Sequence, residues 1–241
     1  MVAAKGTKGL FVTGTDTGVG KTLVSAALAL FLRKRGLDVG IMKPVETGVE
    51  NPLALGNDGR LLQWAAASGD EPELISPYRL SAPLAPSVAA EHENVHIDCG
   101  LLAAAASTLA SRHDYLIIEG AGGLMVPLAG GILLADLAKN INFPLLTVCR
   151  PGLGTINHTL LTVFAARTMG IPLAGFLINN MPLIPGEAEE SVPHTLASLA
   201  SADLLGVLNH VTGNPQEQAT DLADQLEKLP TLPWLLAGLG L

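Results

Sequence analysis

Lys21 and Thr22 close the stretch Gly14-Thr15-Asp16-Thr17-Gly18-Val19-Gly20-Lys21-Thr22. An apolar run at 10–13 precedes it and an Ala- and Leu-rich run at 23–32 follows it. Strand, glycine-rich turn and helix in that order make a phosphate-binding loop rather than a chance cluster of glycines. Gly18 and Gly20 let the chain turn tightly with no Cβ in the way. The turn, Val19 included, aims backbone N–H groups at one point, and the helix start adds partial positive charge. A polyphosphate fits there, with Lys21 on the β/γ-phosphates and the Thr22 hydroxyl on Mg²⁺. One departure stands out: the common pattern has Gly at position 15, where this chain has Thr15, and the glycine falls one step earlier at Gly14. The competing reading, a turn with an exposed lysine, does not account for the flanking strand and helix.

Other chemistry-bearing residues sit where strands end. Val39-Gly40-Ile41-Met42 reads as a short buried strand running into Lys43-Pro44-Val45-Glu46-Thr47-Gly48. Ligands of open α/β sheets bind at such carboxyl ends, so Lys43 is either an anion binder or a solvated charge. Asp58 precedes a helix-like run at 61–67 and is either a dipole-favoured carboxylate or a Mg²⁺ ligand. The apolar strand Tyr115-Leu116-Ile117-Ile118 runs into Glu119-Gly120-Ala121-Gly122-Gly123. A carboxylate ending a strand beside a phosphate loop holds Mg²⁺ directly or through water, which is the role Glu119 fits. Gly152-Leu153-Gly154-Thr155-Ile156-Asn157-His158 opens a helix reaching Met169, a second anion-friendly helix start. His158 could exchange protons, although a histidine so placed more often packs or caps. Asn179, at the end of the 173–180 strand, could start a turn or read a base edge.

These residues need a scaffold, and the remaining pattern supplies one. Short apolar strands at 144–149 and 204–208, and helices at 99–111, 187–200 and 215–229, alternate with the elements above. The proline-rich segment 76–87 (Pro77, Pro83, Pro86) is expected to be an extended loop on the surface. Trp234 and the Leu-rich tail are expected to pack on the body. About six or seven strands alternating with helices give an α/β fold, P-loop NTPase-like: a mostly parallel sheet with helices on both faces. The 241 residues suit a single domain spanning 1–241. A hydrophobic fraction of 49% against 15% charged allows a sizeable core, and the net charge of −8 argues against a nucleic-acid partner. Two cysteines, Cys99 and Cys149, make neither a disulfide framework nor a metal cluster, which suits a reducing cytoplasm. Residues 1–8 lack the apolar core of a signal peptide, and no run of about 20 apolar residues suggests a membrane span.

The four stretches 14–22, 43–48, 119–123 and 154–158 occur in the order seen in dethiobiotin synthetases, and the chain resembles that family nearly throughout, less so after Asn180. The resemblance implies an ATP-dependent ligase of biotin biosynthesis. Its small-molecule substrates would be 7,8-diaminopelargonate, CO₂ and ATP, with Mg²⁺ as cofactor. One amine takes up CO₂ as a carbamate, the carbamate attacks the γ-phosphate, and the second amine closes a cyclic urea. By resemblance, Lys21, Lys43 and Thr17 are catalytic, and Thr47 also contacts the substrate. Thr22, Asp58 and Glu119 match the metal ligands. Gly18, Val19, Gly20, Asn179, Asn209 and Gln216 match nucleotide contacts, the last two departing from the family's Pro and Glu. Gly154, Thr155, Ile156 and Asn157 match the helix start that receives the substrate carboxylate, contributed across the interface of a homodimer. Three other P-loop classes share the loop but not the rest of the pattern. A partitioning-type switch ATPase usually carries an early loop lysine, and Asp16 stands there instead. An amide-forming ligase of the cobyrinic acid type needs a further glutaminase domain. A small-molecule kinase would leave a stable phosphorylated product.

Overall fold

The computed structural model describes residues 8–241, so the reading of the N-terminus as lacking a signal core falls, except for Lys8, outside the described residues. Strand β1 (Lys8–Gly14) leads through the glycine-rich turn into α1 (Lys21–Lys34), then β2 (Val39–Met42) and the short β3 (Val45–Thr47). Helices α2 (Asn57–Ala66) and α3 (Pro72–Ile75), strand β4 (Tyr78–Leu80), α4 (Pro86–His92) and α5 (Cys99–Arg112) follow. Next come β5 (Tyr115–Gly123), the small pair β6 (Pro127–Ala129) and β7 (Ile132–Leu133), α6 (Leu134–Ile141) and β8 (Leu145–Cys149). The chain then forms α7 (Thr155–Thr168), β9 (Leu173–Met181), α8 (Glu187–Leu199), β10 (Leu204–Asn209), α9 (Pro215–Glu227) and α10 (Leu232–Gly238).

Six strands make the central sheet in the order β10-β9-β8-β1-β5-β2, and every pairing in it is parallel. Parallel strands need crossover helices, and these cover both faces. The alternation along β1 shows how. Leu10 and Val12 join one core with α1, α2, α9 and α10, through Leu28, Leu62, Leu222 and Leu235. Phe11, between them, points to the other core with α5 and α6, through Leu109 and Leu137. A third cluster, Phe176, Ile178, Val192 and Leu196, closes the sheet end near α8. Each such side chain contributes about 1.5–3 kcal/mol by leaving water. Among the described residues no helix is long and apolar enough to cross a membrane.

Three local expectations change. The 76–87 segment is not simply a loop: Tyr78–Leu80 pairs in parallel with Val45–Thr47, and Pro86 occupies the first turn of α4. Helix α2 starts at Asn57, so Asp58 lies inside its first turn rather than ahead of it. In the tail, Leu235 and Leu239 are buried as expected, whereas Trp234 is 64% exposed.

Candidate active site

Register brings the site together. Parallel pairing sets Val12 beside Glu119 and Gly14 beside Gly123, so the acidic residue of β5 flanks the turn that leaves β1. That turn ends at Gly20, the N-cap of α1, in the left-handed conformation with φ of 90°. A Cβ there would overlap the Asn179 amide, so both the angle and the space call for glycine. Asn179 is buried at the end of β9, and its Nδ2 donates to the Val19 carbonyl at 3.0 Å, which ties the loop to a second strand.

In front of the loop lies a cleft of about 800 Å³, lined among others by Thr17, Gly18, Gly20, Lys21, Thr22, Lys43, Thr47, Asp58 and Glu119. Lys43 is buried, and its Nζ stands 2.5 Å from Glu119 Oε1 and 2.7 Å from Asp58 Oδ2. Thr22 Oγ1 donates to the same Glu119 oxygen at 2.8 Å. Lys21 Nζ donates to the Asp16 carbonyl at 3.0 Å. Burial pushes the Lys21 ammonium below the ordinary lysine range, helped by the charge of Lys43 and opposed by Glu119. Burial acts on Lys43 in the same sense, but Glu119 and Asp58 outweigh it and hold this group above the ordinary range. The pair therefore presents one firmly held cation and one softer cation to an anionic ligand.

The donor set suits Mg²⁺. A threonine hydroxyl and two carboxylates are hard oxygen ligands, and Mg²⁺ takes few protein ligands while keeping waters and substrate phosphates. Glu119 Oε2 is buried and has no hydrogen-bond partner among the described residues, so a ligating oxygen is left over. Thr22 can donate its proton to Glu119 and still offer a lone pair to a cation.

A family model described as an AAA domain matches residues 8–217. The ATP-dependent dethiobiotin synthetase BioD of Thermodesulfovibrio yellowstonii is 42% identical over 214 residues, 85% of this chain and 89% of that protein. The chain belongs to the dethiobiotin synthetase family. The synthetase of Anaeromyxobacter dehalogenans (strain 2CP-C) is 44% identical over 193 residues, covering 80% of this chain and 84% of the relative. Among solved structures, a ParA family ATPase from Chlorobium tepidum TLS superposes with a TM-score of 0.56 at 14% identity, over 97% of this chain and 99% of that one. MinD of Aquifex aeolicus gives 0.54 at 14% identity, covering 97% and 95%. Likeness at this level shows the fold alone, a P-loop α/β sheet.

In this dethiobiotin synthetase family member, the remaining anticipated residues divide between places. Val19, Asn179 and Asn209 line a smaller groove of about 200 Å³ that shares Gly18 and Gly20 with the cleft. Gln216 does not line that groove; it is exposed in the first turn of α9, where its N–H is capped by Asn214, and Gln218 lines the groove instead. Gly154, Thr155, Ile156 and Asn157 do not line the chain's own cleft. They start α7, whose N-cap Gly154 offers no side-chain cap, and His158 lines a neighbouring cavity beside Thr17. Asn180, which ends the same strand as Asn179, also faces the groove; sequence reasoning missed His210 and Arg150 there, and the Pro83–Pro86 wall of the cleft. It also quoted Glu46 without assigning it. The signal available was its place within Lys43-Pro44-Val45-Glu46-Thr47-Gly48, one residue before Thr47, which lines the cleft.

Proposed function

We infer that this chain makes dethiobiotin from 7,8-diaminopelargonate, CO₂ and ATP, releasing ADP and phosphate. The observation that carries the reading is the cleft itself. It joins a phosphate loop to two lysine ammoniums, and no Cys, Ser or His is among its lining residues. Such a site positions and neutralises charge while the substrate supplies the nucleophiles. One substrate amine adds to CO₂ and loses a proton, giving a carbamate. A carbamate oxygen attacks the γ-phosphorus and displaces ADP, giving a carbamic-phosphoric anhydride. The second amine attacks the carbamate carbon and loses a proton; the C–O bond breaks, phosphate leaves with that oxygen, and the urea ring closes.

Each residue has a role in that scheme. The N–H groups of Gly18, Val19 and Gly20, with Lys21, hold the β- and γ-phosphates. Lys43 and Lys21 stabilise charge on the transferring phosphoryl group and the carbamate. Thr17 and Thr47 orient the carbamate and the amines. Thr22, Asp58 and Glu119 hold Mg²⁺, which neutralises phosphate charge when bound. Asn179 and Asn209 face the base end of the nucleotide, where Gln218 rather than the anticipated Gln216 lines the groove. The helix start at Gly154, Thr155, Ile156 and Asn157 receives the substrate carboxylate in the cleft of a second copy, which makes the working unit a homodimer. Leu153, Leu161 and Phe164, which are 86%, 57% and 68% exposed, give α7 and its entry an apolar surface suited to that contact. The reaction draws on soluble metabolites, and we place it in the cytoplasm.

The scheme predicts where one oxygen goes. With ¹⁸O-labelled bicarbonate and short reaction times, the released phosphate must carry one labelled oxygen per ring closed. Unlabelled phosphate formed alongside labelled urea would reject the anhydride.

A further inference from the structure

Helix α2 has no side-chain cap from its own entry, because its N-cap is Gly56. A carboxylate from another element takes that place. Glu46, in β3, accepts from the Asp58 N–H at 2.8 Å through Oε1 and from the Gly59 N–H at 3.1 Å through Oε2. Its residue is 5% exposed, so these bonds are sheltered from water. The helix entry is shaped around it: a Cβ at Gly56 would overlap the Glu46 carboxylate. The residue whose backbone Glu46 grips is the one whose Oδ2 stands 2.7 Å from Lys43 Nζ.

A plain cap would be served by Ser, Thr or Asn, with one oxygen and no buried charge. Burying an ionised carboxylate costs more, and burial does push Glu46 above the usual carboxylate range. Two coplanar oxygens provide something a single hydroxyl does not. They fix two consecutive N–H groups, and with them the rotation of the first turn about the helix axis. That rotation sets the direction of the Asp58 Cβ.

We propose that Glu46 is a positioning residue for the ligase reaction: it orients the first turn of α2 so that the Asp58 carboxylate stands at Lys43 and at the Mg²⁺ position. The inference rests on reading Asp58 as a metal ligand.

Three variants test it: Glu46→Gln, Asp58→Asn and the double. Glutamine keeps the size but replaces one acceptor oxygen by a donor facing an N–H. Calorimetry with MgADP, with and without excess Mg²⁺, reads metal affinity apart from activity, and steady-state kinetics run alongside. E46Q should raise the Mg²⁺ half-saturation about tenfold, the size expected for one lost hydrogen bond to a charged group. The KM for the diamine should stay within about twofold of wild type, since Glu46 does not line the cleft and its oxygens are bonded to the α2 backbone. The double variant should be no worse than D58N alone, because both act through one carboxylate. Unchanged metal affinity in E46Q beside a defective D58N would overturn the role of Glu46 alone. Additive losses in the double would show that Glu46 does not act through Asp58. An unaffected D58N would overturn the metal reading of Asp58 and this inference with it. Should E46Q fail to fold, Gly56→Ala displaces the Glu46 carboxylate in a chain that retains it. The same metal defect is expected there, and its absence overturns the proposal.

Discussion

Replacing Lys43 by methionine removes the one cation within hydrogen-bond reach of Glu119 among the described residues. Glu119 is fully buried, its Oε1 accepts from Lys43 and Thr22, and its Oε2 has no hydrogen-bond partner among the described residues. Asp58 is 39% exposed in its side chain and can rehydrate, so the loss falls on Glu119. Removing one partner of a buried pair costs about 3–5 kcal/mol. For a chain of this size about 1 kcal/mol moves the melting midpoint by roughly 2–4 °C. Lys43→Met should therefore melt roughly 6–20 °C lower in EDTA, measured by calorimetry. Adding Glu119→Gln should restore much of the loss, because a neutral amide needs no counter-charge. Turnover of the single variant should fall about 100-fold or more, as for other groups that meet transition-state charge. The pH dependence has a definite sign. Lys43 is held above the ordinary lysine range in the fold, so its stabilisation is complete below that range and is lost as pH rises from the ordinary value through the raised one. The contribution of Lys43 to the wild type should thus be flat between about pH 6 and 9. An unchanged midpoint, or a double variant no more stable than the single, would refute the reasoning.

Lys21→Ala should lower turnover about 100-fold or more, and near-normal turnover would reject the phosphate loop as the site of catalysis. A Lys43→Ala chain and a Gly154→Glu chain should each be inactive, yet regain about one quarter of wild-type activity after subunit exchange, since half the dimers are mixed and each has one intact site of two. No recovery despite demonstrated exchange would mean that each site is built within one chain. Asp70 does not line the cleft; it is buried, accepting from Ser68 Oγ at 2.6 Å and Arg112 Nη1 at 2.9 Å and meeting His113 Nε2 at 2.7 Å. Burial alone would raise its carboxyl, but these partners outweigh it and hold it below the usual range. Its stabilisation is present above the unfolded value and lost as pH falls through the folded one. Asp70→Asn should cost about 1–3 kcal/mol in urea unfolding at neutral pH, flatten the loss of stability in acid, and leave turnover unchanged.

What could be read from the sequence was local. The loop at 14–22 carries its own context, an apolar strand before and a helix after, so its chemistry needed no tertiary information. Glu119 and Lys43 were legible for a related reason, since each ends an apolar strand, and parallel strands bring their carboxyl ends to one edge. Asp58 was harder. Asn57 and Gly59 beside it favour a loop by propensity. They are helical because Glu46, twelve residues upstream, supplies the cap, and no local rule announces a cap from another element. The 76–87 segment was misread for a similar reason. Pro77 and Pro83 suggest an irregular chain, but they flank an edge strand that pairs only with the short β3. Pro86 suits the first turn of a helix, where its missing N–H costs nothing. The smaller groove draws Asn180, His210 and Gln218 from β9, the segment after β10, and α9. Spacing within one segment cannot show which residue of the first turns of α9 faces inward, so Gln216 was anticipated where Gln218 stands.

The central claim is that this cleft couples ATP cleavage to closure of a cyclic urea. Incubating the chain with ATP, bicarbonate, Mg²⁺ and 7,8-diaminopelargonate and weighing the products by mass spectrometry tests it most directly. The account predicts dethiobiotin in one-to-one ratio with ADP and phosphate, and no product when the diamine or bicarbonate is left out. ATP cleavage that ignores the diamine, or a stable phosphorylated diamine, would contradict it.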